Sequence, residues 1–89
     1  MNTQKDFEAT AAIIRAELEA SVKGLHSYDF VKAGEYEQPP SRAYFRGKIA
    51  QTCTFCAIMG ELYAKDNARF DYVRFKAACG ITAEIEAII

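Results

Sequence analysis

Three cysteines and a single histidine are the side chains of this sequence best suited to metal or thiol chemistry. Cys53 and Cys56 form a Cys-x-x-Cys pair, and with Cys79 and His26 they supply enough ligands for a tetrahedral zinc site. The same pair would support thiol redox work if one sulfur were held as thiolate. Against both readings, the pair lies unbroken between Ile49 and Met59 in a helical pattern. There residues three apart face the same way whatever their identity, and reduced cysteine packs as a small apolar side chain. Core packing is the expected role, with no metal and no cofactor. His26 has no serine or cysteine partner in a nucleophile motif, the glycines form no phosphate loop, and the carboxylates offer no sharp acid/base pair. The sequence therefore reads as non-enzymatic.

Binding chemistry is better represented. Arg42 and Arg46 stand four apart with Lys48 close by, at the start of a helical pattern where cations oppose the helix dipole and one another. With Tyr44 they could meet phosphates or an acidic protein surface, or pair with Glu35 and Glu37 of the preceding segment. Tyr28, Glu35, Tyr36 and Glu37 add an acidic and aromatic mixture just upstream, so the expected partner-binding set is Tyr28, Glu35, Tyr36, Glu37, Arg42, Tyr44, Arg46 and Lys48. Arg69, Arg74 and Lys76 form a second candidate basic patch. Residues 1–38 carry seven acidic and four basic side chains, residues 39–80 three acidic and seven basic, and residues 81–89 two acidic, so the net charge of −1 conceals a polarised chain.

Helices must position these residues. Phe7, Ala11, Ile14, Leu18, Val22 and Leu25 recur at spacings of three and four, predicting a helix over about 4–23, with Thr3 as N-cap, Asp6 in the first turn and Gly24 just past the end. Residues 24–40 hold two glycines and two prolines without a sustained period and read as an extended loop. Pro39, Pro40 and Ser41 start a second helix over about 42–65. One of its seams reads Phe45, Ile49, Thr52, Cys56, Met59 and Tyr63. A neighbouring seam of Tyr44, Phe55, Ile58 and Leu62 widens the apolar stripe and predicts a central helix contacted on more than one side. Asn67 is suited to a left-handed turn. Asp71 caps a short third helix over about 72–79, closed by Gly80, with Phe70 and Phe75 spaced as a hydrophobic staple. Thr82 caps a last turn carrying Ile85, Ile88 and Ile89, which close the core or make an oligomer contact. No segment alternates as a strand does.

The fold expected is all-α: one domain over 1–89, a small bundle of about three helices around a long central one, with the loop at about 24–40 and a short C-terminal helical segment. Eighty-nine residues with 51% hydrophobic and 26% charged side chains suit a single globular unit and exclude a disordered tail, a collagen and a chain that coats nucleic acid by bulk charge. No window approaches a membrane span or a signal peptide, and three cysteines are too few and too odd for a secreted disulfide framework, which points to a reducing, cytoplasmic setting.

The stretch from Tyr63 through Asp66, Asn67, Arg69, Phe70, Asp71, Phe75, Ala77, Ala78 and Cys79 to Gly80 resembles the ending of many small phage-encoded proteins. There an aspartate-asparagine pair precedes arginine, phenylalanine and aspartate, and two alanines, cysteine and glycine follow. Ala68 stands where proline is common in that group, and the 24–40 segment is longer than expected. The resemblance carries no chemistry. It implies a phage-encoded, non-enzymatic interaction protein acting in the bacterial host cell, binding and inhibiting a host protein such as a CRISPR effector or another defence factor. The alternative is a small nucleic-acid-binding module using the basic 42–76 region. Either is expected as a monomer or homodimer.

Overall fold

The computed structural model describes residues 3–28 and 41–89. In chain order these form α1 (Gln4–His26), α2 (Arg42–Asp66), α3 (Tyr72–Ala78) and α4 (Ala83–Ile88), with no strand among the described residues. The all-helical bundle expected from the periodicity is the observed one.

Each helix begins where a polar side chain can accept from its exposed N–H groups. Thr3 and Asp6 make a capping box: the Asp6 N–H donates to Thr3 Oγ1, while the Thr3 N–H donates to the Asp6 carboxylate at 2.8 Å and holds that carboxyl below its ordinary pKa. Ser41, Asp71 and Thr82 accept in the same manner from Tyr44, Arg74 and Ile85. α3 ends in a complete Schellman motif. Gly80 adopts φ +82°, its N–H donates to the Ala77 carbonyl, and the Ile81 N–H reaches back to Lys76 at 3.3 Å, turning the chain so that Ile81 is buried.

α1 and α2 form an antiparallel hairpin. The Thr10 and Tyr63 hydroxyls share a hydrogen bond of 2.6 Å near one end, and Gly24 lies against the Phe45 ring near the other. α3 packs against both helices, and its Cys79 cap meets Cys56 of α2. The core runs along this three-way contact through Ile14, Leu18, Ile49, Cys56, Phe75 and Cys79. Ser21, buried among them, donates to the Glu17 carbonyl at 3.0 Å, which removes the penalty of a buried hydroxyl. Ile85 and Ile88 of α4 pack on the core, and Lys76 of α3 pairs with Glu86 of α4. Of the terminal isoleucines only Ile89 is mostly exposed.

Three expectations are corrected. Gly24 does not end α1, which continues to His26 with Ser27 as C-cap; the glycine instead admits the Phe45 ring, a contact that local spacing could not reveal. Asn67 is extended (φ −143°, ψ 109°) rather than left-handed, and turns the chain by accepting the Arg69 N–H on its side-chain oxygen at 2.9 Å. The second seam of α2 is not covered: Tyr44, Phe55, Ile58 and Leu62 each remain about half exposed, at 48–52%. The seam through Phe45, Ile49, Cys56, Met59 and Tyr63 faces the bundle together with Cys53 and with Gly60, which lies against Tyr72, so α2 is contacted by both α1 and α3.

The α2 glycines differ in their surroundings. A Cβ at Gly47 would meet nothing within 4 Å, whereas one at Gly60 would run into the Tyr72 ring. Gly47→Ala is expected to stabilise the fold by about 0.5–1 kcal/mol through helix propensity alone. Gly60→Ala should give no such gain, because Tyr72 must leave its seat; thermal or denaturant unfolding of the two variants reads the difference directly.

Candidate functional site

The C-terminus of α1 and the N-terminus of α2 bring several of the expected binding residues together. Tyr28, its N–H bonded to the Leu25 carbonyl at 3.1 Å, places its ring 6.2 Å from Phe45. Phe45 meets Tyr44 edge-on at 5.2 Å, and the Lys48 ammonium sits over the Tyr44 ring at 5.7 Å. The result is a ladder of Tyr28, Phe45, Tyr44 and Lys48 whose inner rung is held by Gly24 and whose outer ring, Tyr44, is 52% exposed. Phe45 belongs to this ladder although the sequence marked it only as core.

The remaining members fall elsewhere. Arg42 and Arg46, four apart, share a flank of α2, but the helical period turns Arg46 about 160° from Lys48 and away from Tyr44. The basic residues of this end therefore point in two directions. Glu35, Tyr36 and Glu37 lie outside the described residues.

The second basic patch also divides. Arg69 and Arg74 line a groove of about 430 Å³ together with Glu8, Asn67 and Asp71, floored by Phe7, Phe70 and Phe75. Lys76 is not part of it, being paired with Glu86. Beneath the groove Phe7, Tyr63, Phe70 and Phe75 stack at centroid separations of 4.8–5.6 Å, mostly tilted or edge-on, as aromatic quadrupoles prefer. The residues of the 63–80 segment have structural work: Asn67 makes the turn, Phe70 and Phe75 form the staple at 5.4 Å, Asp71 caps α3, Cys79 enters the core and Gly80 takes the positive φ.

The cysteines sit where core packing places them. Cys56 and Cys79 are fully buried with their sulfurs 3.5 Å apart, and Cys53 is partly exposed. Burial pushes all three thiols up, Cys79 to about 12, with the neighbouring Cys56 adding to the effect there. Nucleophilic or redox chemistry needs the opposite shift. His26 lines a different groove, of about 390 Å³, beside Arg15, Leu18 and Ile85. Among the described residues no three His, Cys, Asp or Glu side chains gather to hold a metal ion, and no helix is long and apolar enough to cross a membrane.

Compared with protein-family models, curated proteins and solved structures, the chain matches none.

The thiol environment is directly measurable. Iodoacetamide at mildly alkaline pH is expected to label Cys53 alone in the folded protein, and slowly, whereas denaturant should expose all three cysteines. Rapid labelling of Cys79 in the native state would contradict its burial.

Proposed function

We propose that this chain is a non-enzymatic interaction protein that binds and inhibits a bacterial host protein through the end of the hairpin where Tyr28, Phe45, Tyr44 and Lys48 are stacked. The observation that supports this reading is the half-exposed Tyr44 ring, braced from behind by Phe45 and crossed by the Lys48 ammonium. A large amphipathic ring fixed before binding loses little conformational freedom on docking, and tyrosine is among the residues that dominate binding energy at protein interfaces. The nearby cations favour a partner surface of acidic character. Resemblance of the 63–80 segment to phage-encoded proteins makes a host factor, with CRISPR effectors and other defence proteins as the candidate class, the partner to look for.

The basic residues are spread over both ends and two flanks of α2, and Lys76 is engaged with Glu86. Phosphate-backbone binding draws its strength from several cations along one track, so the protein reading is preferred to the nucleic-acid one.

Affinity capture from bacterial lysate with the wild-type chain is expected to retain a specific protein, and Tyr44→Ala to weaken that retention by roughly tenfold or more. Glu84→Gln, exposed on α4, serves as the control that should leave it intact. Capture unaffected by Tyr44→Ala rejects this site. A salt-sensitive gel shift with DNA or RNA, lost in the Arg42→Glu, Arg46→Glu double variant, would replace the proposal with nucleic-acid binding.

A further inference from the structure

Two of the three cysteines come from separate elements and meet in the core. Cys56 sits near the middle of α2 and Cys79 is the C-cap of α3, twenty-three positions later in the chain. Both are 0% exposed, and the Cys56 thiol donates to the Cys79 sulfur at 3.5 Å. A disulfide needs its sulfurs about 2 Å apart, and the remaining ~1.5 Å can be closed by two side chains that each turn by less than ~30°, within one rotamer well. The backbones need not move to bring the sulfurs together. Gly60 against the Tyr72 ring and Tyr63 against Phe75 at 5.6 Å already hold α3 beside α2. Cys53 is the rival partner, one turn from Cys56 and partly exposed. A bond between those two would close a single turn of one helix and tie no two elements together.

We propose that Cys56 and Cys79 are a modification site, converted by glutathione disulfide into a Cys56–Cys79 disulfide that clamps α3 to α2, and released again by reduction. In the first step one of the two cysteines gives up its proton, and its sulfur attacks glutathione disulfide. A mixed disulfide forms and one glutathione thiolate leaves. The second cysteine, deprotonated in turn, attacks the protein sulfur of that mixed disulfide, so the bond to glutathione breaks and the second glutathione thiolate leaves. The two leaving thiolates take up the two protons; the protein is oxidised by two electrons, and glutathione disulfide is reduced to two thiols.

Burial pushes both thiols up, which slows the exchange and denies the pair the ready thiolate that catalytic turnover requires. The product is durable for a related reason. Disulfides that are easily reduced are those whose reduced form is stabilised as thiolate, and nothing around Cys79 offers that stabilisation. Because the sulfurs are sealed, the bond closes as the chain folds or when α3 lifts from the hairpin. No sulfur belongs to the aromatic ladder, so the inference does not depend on the partner-binding function proposed above.

Refolding the full chain from denaturant in a buffer of oxidised and reduced glutathione tests it. The refolded chain is expected to be lighter by two hydrogens, to carry no glutathione, and to give, after trypsin without reductant, the 49–65 peptide joined to the 77–89 peptide. Dithiothreitol should separate the two. Cys53→Ser, at a partly exposed position, should keep the link. The oxidised chain should melt about 5 °C or more above the reduced one, as an unstrained cross-link across a loop of this length implies. Three free thiols after refolding, a stable glutathione adduct, a bond confined to the 49–65 peptide, a link lost with Cys53→Ser, or an oxidised chain that melts no higher than the reduced one each overturns the proposal.

Discussion

Tyr63 of α2 ties α1 and α3 to its own helix. Its ring meets Phe7 of α1, Phe70 of the turn and Phe75 of α3, and its hydroxyl shares a 2.6 Å hydrogen bond with Thr10. The apolar contacts alone would tolerate sliding of one helix along the other, since periodic stripes repeat every turn. A short hydroxyl-to-hydroxyl bond does not, because a slip of one residue leaves two polar groups unsatisfied in a largely dry setting. Once this register is set, Gly24 falls opposite Phe45, and Cys56 can face the end of α3. The aromatic ladder at one end of the hairpin and the Arg69–Arg74 groove at the other are consequences of that alignment.

Much of the architecture was legible because it is local. Thr3, Ser41, Asp71 and Thr82 cap the helices that spacing had marked, and the staple of Phe70 and Phe75 forms as their separation implied. What escaped the sequence is non-local. Gly24 looks like a terminator by its conformational freedom, yet its role is set by a ring twenty-one positions away in the chain. Asn67 has the right residue type for a turn but achieves it through its side chain instead of a left-handed backbone. Phe55, Ile58 and Leu62 show how far periodicity reaches: it groups residues on a face but does not say whether the chain has anything left with which to cover that face.

The site was legible in part for the same reason. Tyr44 and Lys48, four apart on one helix, were bound to be neighbours. That Tyr28 joins them through Phe45 required the hairpin. Conversely, Arg42 and Arg46 belong with each other but not with Lys48, because two residues along a helix is more than half a turn. The Cys-x-x-Cys pair gave a metal-like signature that burial explains otherwise: Cys56 faces Cys79 in the core while Cys53 lies nearer the surface.

Ser27 closes α1 with hydrogen bonds to Lys23 and Gly24, and Ser41 opens α2 with its own hydroxyl, so both helices terminate themselves. The entropic cost of joining two such helices grows only with the logarithm of the connection's length, about 0.6 kcal/mol for each doubling. Because the caps come from Ser27 and Ser41 themselves, those end hydrogen bonds would survive a change of sequence between Tyr28 and Ser41.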